Sequence, residues 1–170
     1  SSATPTVSKS RVAPASTSVA TSPAVMAMPR PMATALGWPG KVVNWSRVAL
    51  DHYTGKSWAD YGHPEWGQIN LGFTDPTAST AGLLSLIPLA DRDFDGRITL
   101  DEVKTLLLFS RSVSHQASDS SAYLDATRTE AVSAFPGLEQ EVVQYNQKDP
   151  AVELVPVYPG EGTVFADYPY

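Results

Sequence analysis

Apolar residues in this chain fall into short runs and helix-spaced stripes, with turn residues between them. Short apolar runs that are bounded by glycine, proline or polar residues predict buried strands. Three runs fit this description, at residues 24–28, 69–73 and 154–158.

Helical spacing of apolar residues predicts helices between these strands. They cover residues 30–36, 41–50, 79–90, 101–114 and 131–145, the last interrupted at Pro136-Gly137. Asp75 or Ser79 is a suitable N-cap for the third helix, and Pro88 should bend or stop that helix near its end. Residues 51–68 are rich in glycine, proline and aromatics and predict an ordered loop. Strands that alternate with helices in this order indicate an α/β fold.

Composition and charge narrow the possible partners. The 170 residues suffice for one domain with a core, and a net charge of −6 without a basic stripe excludes nucleic acid and anionic membrane surfaces. No apolar run approaches the length of a membrane span, and the lack of cysteine excludes disulfides and thiolate metal sites.

Residues 1–22 lack periodicity and predict a flexible Ser/Thr/Ala/Pro-rich linker, with an irregular edge segment as the alternative. Residues 23–170 would form the folded domain.

One segment has the pattern of a metal site. Residues 91–102, DRDFDGRITLDE, match an EF-hand calcium loop at every position that supplies a ligand. Carboxylates occupy loop positions one, three and five, glycine occupies position six, and position twelve is a glutamate that can offer both oxygens. The expected Ca²⁺ ligands are Asp91, Asp93, Asp95, the carbonyl of Arg97, Thr99 or its water, and Glu102. With its flanking helices, the EF-hand would cover about residues 79–114.

The alternative to a calcium site is an acidic surface turn. Such a turn would rarely also place Gly96 and Glu102 in register, so the sequence favours calcium. A second calcium loop is absent, because Asp51 and Asp119 lack the spaced carboxylates and the glycine. A calmodulin-like sensor would need a paired loop and a methionine-rich groove, so we expect calcium to have a structural role.

Two other places in the sequence offer weaker candidates. Ser79 and Thr80 begin a predicted helix after a strand, where free N–H groups and hydroxyls can bind an anion. Ordinary N-capping explains the same residues, and Asp75 would repel an anion. The stretch at residues 63–66, HPEW, lacks metal-ligand spacing and favours packing of its aromatic groups. Without a G-x-S-x-G elbow or another nucleophile–base set, no catalytic residue is assigned and no enzyme is expected.

Three stretches resemble one protein family. They are SPAVMAMPRPMATALGWP at residues 22–39, YGHPEWGQINLGFTDPTASTAG at 61–82 and VYPGEGTVFADYPY at 157–170. Together they resemble bacterial extracellular solute-binding proteins with the type II periplasmic-binding fold, in the branch often linked to von Willebrand factor A domains. The resemblance spans most of residues 22–170.

This resemblance implies two α/β lobes joined by crossing strands, with a solute held between the lobes. The chain would be the second lobe only, entered by residues 24–28 and left by residues 154–158, with the EF-hand as an insertion. Ser79 and Thr80 would face the cleft, and residues 161–163 resemble the hinge. The resemblance also implies a secreted protein, extracellular or periplasmic, whose partners are a small anionic solute or a first lobe outside this chain.

Three functions stay open at this point. The favoured one is a solute-binding-like module with structural calcium. The second is a calcium-stabilised surface, adhesion or assembly module that has lost solute binding. The third is an EF-hand calcium sensor.

Overall fold

The structure, a computed structural model, describes residues 18–124 and 132–169. Its strands are β1 Ser18–Pro29, β2 Leu71–Thr74, β3 Val113–Ala117, β4 Phe135–Leu138, β5 Leu154–Val157 and β6 Phe165–Pro169. Its α-helices are α1 Arg30–Ala35, α2 Trp45–Tyr53, α3 Thr80–Ala90, α4 Leu100–Ser112 and α5 Glu139–Asn146. Short 3-10 helices cover Trp58–Tyr61, Pro64–Trp66 and Ser120–Ala122.

The long strand β1 organises the sheet. Its second half lies between β4 and β5, antiparallel to both, and its first half pairs with β6. Strands β2 and β3 are parallel, and a bridge from Leu71 to Ala134 brings β2 beside the chain that leads into β4. The described strands thus form a four-stranded sheet with the order β4-β1-β5, in which β6 also pairs with β1, and a two-stranded β2-β3 sheet that the bridge at Leu71 places beside it.

Both faces of β1 are covered, which explains why its second half is apolar at every position. Met26 and Met28 pack into one core, which also contains Trp45, Trp58, Leu71 and Phe109. Val25 and Ala27 point to the opposite face and pack into a second core. Successive side chains of a strand alternate between faces, so a strand that is buried on both sides shows a continuous apolar run.

The three predicted strands and most predicted helices are found. The runs at residues 24–28, 69–73 and 154–158 lie in β1, β2 and β5, with ends that shift by a few residues. The second helix begins at Trp45 instead of residue 41, and it continues to Tyr53. Pro88 lies inside α3 without ending it, because the helix runs on to Ala90.

The prediction of a helix over residues 131–145 is wrong for residues 132–138, and residue 131 lies outside the described part of the chain. Phe135–Leu138 is strand β4, buried along its whole length and paired with β1, and only Glu139–Asn146 is helical. Strands β3 and β6 were not predicted, because β3 carries the mostly polar sequence VSHQA and β6 depends on its partner β1.

Two further observations concern the chain as a whole. Residues 18–22 of the predicted linker belong to β1, whereas residues 1–17 lie outside the described part of the chain. Among the described residues, no helix combines the length and apolar character needed to cross a bilayer.

Candidate functional site

The predicted calcium loop connects two helices, as an EF-hand requires. Helix α3 ends at Ala90 and α4 begins at Leu100, so Glu102 stands in the first turn of α4. Thr99 is the N-cap of α4, and its hydroxyl oxygen accepts the Glu102 N–H at 3.3 Å. In return, the Glu102 carboxylate accepts the Thr99 N–H at 2.7 Å, which completes a capping box.

The three aspartates of the loop converge. Asp91, Asp93 and Asp95 each place one carboxylate oxygen so that the three oxygens lie within 4.8 Å of one another. Oxygens bound to one Ca²⁺ at roughly 2.4 Å can be no more than roughly 4.8 Å apart, so this spacing fits a shared ion. Three anionic groups this close also repel one another, and a cation would remove that repulsion.

The backbone of the loop wraps around the first aspartate. The Asp91 carboxylate accepts the Asp95 N–H at 3.0 Å and the Gly96 N–H at 2.9 Å. Gly96 has φ +77, a left-handed conformation that glycine adopts without a steric penalty. The turn predicted at loop position six is therefore present.

Glu102, the predicted ligand at position twelve, is outside the group of three aspartates. Its second oxygen accepts the Arg92 N–H at 2.8 Å. Hydrogen bonds from the Thr99 and Arg92 N–H groups, with one from the Thr99 hydroxyl, lower the pKa of the Glu102 carboxyl below its usual value. The carboxylate is ionised at neutral pH and is hydrogen-bonded to the loop backbone at Arg92, next to Asp91 and Asp93 in the chain. Of the other two predicted ligands, Thr99 is engaged with Glu102, and the Arg97 N–H donates to Asp95 at 2.8 Å.

The other end of α3 forms a separate candidate site. Ser79 is the N-cap of α3 and its hydroxyl oxygen accepts the Gly82 N–H at 3.2 Å, as predicted, while Thr80 is exposed. Gly82 allows a close approach to β2, because a Cβ at this residue would stand 2.5 Å from the Thr74 hydroxyl oxygen. The N-capping interpretation of Ser79 therefore has a hydrogen bond to support it.

A cavity of ≈ 480 Å³ opens at the carboxyl ends of the parallel strands β2 and β3, and its lining includes Thr74, the residue that Gly82 approaches closely. Ligands in α/β folds bind at such strand ends. The cavity is lined by Phe73, Thr74, Asp75, Pro76, Gln116, Ala117 and Ser118. The sequence did not indicate the contribution of Gln116 and Ser118, because β3 was not predicted.

Two of the lining residues, Thr74 and Asp75, differ in how their polar groups are paired. The Thr74 hydroxyl is buried and has no hydrogen-bond partner within the described residues. The Asp75 carboxylate is exposed and accepts both the hydroxyl and the N–H of Thr77, at 2.7 and 2.8 Å. These two bonds lower the pKa of Asp75, so the cavity has a negative charge at its rim and no basic side chain among the lining residues.

The HPEW stretch forms an aromatic cluster. The His63 ring stacks on Trp66 with centroids 3.8 Å apart, and Trp66 packs edge-on against the buried Trp58. His63 Nδ1 lies 3.0 Å from the Glu65 carboxylate on the surface. The packing expected for this stretch is observed.

Comparison with known proteins bears on the fold. No protein-family model and no curated protein matches the sequence. A putative extracellular solute-binding protein from Bordetella parapertussis matches in structure with a TM-score of 0.57 and 13% identity, over 86% of this chain and 41% of that one. The periplasmic binding protein AfuA from Actinobacillus pleuropneumoniae was solved with exogenous fructose-6-phosphate bound. It matches with a TM-score of 0.57 and 13% identity, over 89% of this chain and 41% of that one. A two-component system protein that mediates signal transduction matches with a TM-score of 0.57 and 16% identity, over 89% of this chain and 42% of that one.

This chain has the fold of periplasmic solute-binding proteins. It spans about two fifths of the length of the solved structures that it matches. The predicted α/β fold class is thereby confirmed, and at these identities the likeness concerns the fold alone.

Proposed function

We propose that this chain is a lobe of an extracellular or periplasmic solute-binding-like protein, and that a Ca²⁺ ion in the loop 91–102 stabilises the lobe. The observation that supports calcium is the convergence of the three aspartate oxygens between two helices, with Gly96 turning the chain and Glu102 hydrogen-bonded to the loop backbone at Arg92. On binding, Glu102 would exchange its backbone donors for the ion, and Asp91 would keep the Gly96 N–H. We assign no catalytic role to any residue in the described part of the chain.

Calorimetry with CaCl₂ tests the metal site. We expect one Ca²⁺ per chain in the wild type and weak competition by Mg²⁺, because a bidentate carboxylate at position twelve suits the larger ion. Glu102→Ala should weaken binding by about tenfold or more, since it removes both oxygens of that position. Asp101→Ala is the matched control, because it removes one exposed carboxylate that pairs with Lys104 and has no ligand position.

Two results would contradict this proposal. One is a wild-type chain that does not take up Ca²⁺, and the other is a Glu102→Ala chain that binds as tightly as the wild type. An equal loss in Asp101→Ala and Glu102→Ala would show that the loop attracts cations only through its net charge.

A structural role for calcium has its own test. A ligand that binds only the folded state adds RT ln(1 + [L]/Kd), which is about 2.7 kcal/mol at a hundredfold excess over Kd. Chelation should therefore lower the Tm but leave the α/β sheet folded, because the loop lies outside both cores. Loss of all secondary structure in chelator would assign calcium a larger role than we propose.

The solute would occupy the cavity at the ends of β2 and β3. An anion, the partner implied by the family resemblance, would meet the Asp75 carboxylate and no basic side chain among the residues that line this cavity. A neutral solute rich in hydroxyl groups would meet acceptors and donors in Asp75, Gln116 and Ser118 without this repulsion. NMR titration of the chain with inorganic phosphate and with a neutral sugar distinguishes the two, and a surface module that has lost solute binding would respond to neither.

One observation favours the calcium sensor as a second candidate. A groove of ≈ 480 Å³ between α3 and α4 is lined mainly by apolar side chains, among them Leu86, Val103, Leu107 and Phe109. Sensors expose such a groove when calcium binds. Calcium-dependent binding of a hydrophobic dye would support this function, whereas unchanged dye binding agrees with the structural role.

A further inference from the structure

The phenylalanine at loop position four leaves the calcium loop and touches a distant segment. Phe94 stands between Asp93 and Asp95 with φ +56 and is about half exposed. Its ring packs against Gly162, where an added Cβ would lie 3.2 Å from Phe94 Cε2 and 3.5 Å from the Cβ of Pro88. Gly162 thus faces the place where the loop and helix α3 meet.

The neighbour of Gly162 performs a separate task. Glu161 is buried, and its carboxylate accepts the Trp45 N–H at 3.1 Å, the Ser46 N–H at 2.8 Å and the Ser46 hydroxyl at 2.6 Å. These groups form the N-terminus of α2, whose own N-cap residue Asn44 makes no side-chain capping bond. A carboxylate from a remote segment therefore caps this helix and opposes its dipole.

The turn that carries both residues also connects two strands of the sheet. Residues 158–164 run from the end of β5 to the start of β6, and both of these strands pair with β1. The Gly162 N–H donates to the Pro159 carbonyl at 3.2 Å, and the Ala24 N–H donates to the Val164 carbonyl at 2.8 Å. A contact at Gly162 thus acts on the segment through which β1, β5 and β6 are joined.

We propose that Phe94 is a latch by which the calcium loop holds the turn at residues 159–163, and that Ca²⁺ in the loop steadies Glu161 on the N-terminus of α2. This inference rests on the proposed calcium site and adds a mechanical consequence to it. Phe94 is flanked by two predicted ligands, so an ion bound by Asp93 and Asp95 leaves its backbone little freedom. Its ring then confines Gly162, and the position of Glu161 follows because the two residues are adjacent.

Amide exchange measured by NMR tests the latch, because the Trp45 and Ser46 N–H groups report on Glu161. In the wild type, Ca²⁺ should slow hydrogen exchange at these two amides by about threefold or more relative to chelator. The reason is that hydrogen bonds to a better-ordered carboxylate open less often. In Phe94→Ala, calorimetry should find calcium affinity within about twofold of the wild type, because no ligand is removed. The two amides should then exchange at the same rate with and without calcium.

Ile98→Ala is the matched control. It truncates another exposed apolar residue of the same loop, and it should keep both the calcium affinity and the calcium response of Trp45 and Ser46. A thermal melt of each variant shows that the fold is intact, so that a lost response is not a consequence of unfolding.

The outcomes separate this inference from the function on which it rests. If the wild type binds calcium but amide exchange at Trp45 and Ser46 does not change, the latch is overturned and the calcium site stands. The latch is likewise overturned if Phe94→Ala retains the full response. Absence of calcium binding in calorimetry overturns the proposed function and the calcium-linked latch together.

Discussion

Two helices of this molecule start in opposite ways. The N-terminus of α2 is closed by Glu161, a buried carboxylate that arrives from the other end of the chain. The N-terminus of α3 is capped locally by Ser79, and its first turn packs at Gly82 on Thr74, a residue that also lines the cavity at the ends of β2 and β3. Both ends have N–H groups that need partners. A remote carboxylate closes the first of these ends, whereas a local hydroxyl caps the second.

The charges near the two helix starts sharpen this contrast. At α2 the Glu161 carboxylate points directly at two N–H groups, where it opposes the positive end of the dipole. At α3 the cap is the neutral Ser79 hydroxyl, and the Asp75 carboxylate accepts the N–H and the hydroxyl of Thr77. The N-terminus of α2 is therefore capped by a charged group, and the N-terminus of α3 by a neutral one.

Removal of Glu161 should have the largest effect. Glu161→Ala leaves two backbone donors and a hydroxyl without their acceptor in a buried place, which should lower the free energy of unfolding by about 3–5 kcal/mol. Urea denaturation measures the loss, and Glu153→Ala, which breaks an exposed pair with Arg30, should change stability far less. An equal effect of the two substitutions would show that α2 does not depend on its remote cap.

Closing the space between α3 and β2 should have the next largest effect. Gly82→Ala would place a Cβ 2.5 Å from the Thr74 hydroxyl oxygen and 2.8 Å from the Thr74 carbonyl oxygen. Overpacking of this kind typically costs about 1–3 kcal/mol. Gly40→Ala is the control, since its Cβ would meet only one backbone oxygen at 3.6 Å. Equal melting temperatures for both variants would mean that the helix shifts freely on β2.

A smaller difference in stability should distinguish Ser79 from Thr80, the two candidate residues at the start of α3. Ser79→Ala removes the N-cap acceptor of the Gly82 N–H and should cost about 1 kcal/mol in the absence of solute. Thr80→Ala should leave stability nearly unchanged, because its side chain is exposed. The reverse order of effects in chemical denaturation would contradict the capping role of Ser79.

The smallest effect is expected at the wall of the cavity. Thr74→Val replaces a buried hydroxyl that has no partner within the described chain, so it should change the free energy of unfolding by less than about 1 kcal/mol and in the stabilising direction. A clear loss of stability would reveal a partner for the hydroxyl, such as an ordered water. If stability is kept but the response to a solute in NMR titration is lost, the hydroxyl belongs to the binding site.

The parts of the molecule that depend on neighbours in the chain were predictable. The calcium loop needs its ligands at fixed positions within one short segment, and the structure places Asp91, Asp93 and Asp95 together, with Gly96 in the expected conformation. The Ser79 cap and the strand at residues 24–28 have the same local origin, because N-cap chemistry and apolar runs can be recognised within a few residues. Calcium binding itself stays a prediction.

The parts that depend on remote partners could not be predicted in this way. The stretch Phe135–Leu138 contains proline and glycine and precedes a helical pattern, yet it forms a strand because β1 offers a ladder beside it. Strand β3 is mostly polar, so the cavity that it completes with β2 was not foreseen.

The sequence by itself determined the α/β class, the position of the loop 91–102 and the cap of α3, since each results from spacing within one segment. Only the tertiary structure decided that Glu161 caps α2, that Phe94 packs on Gly162 and that β2 and β3 end at one cavity. The physical reason is that these contacts join residues that are far apart in the chain. Their energy comes from burial and hydrogen bonds that exist only when the chain has folded around β1.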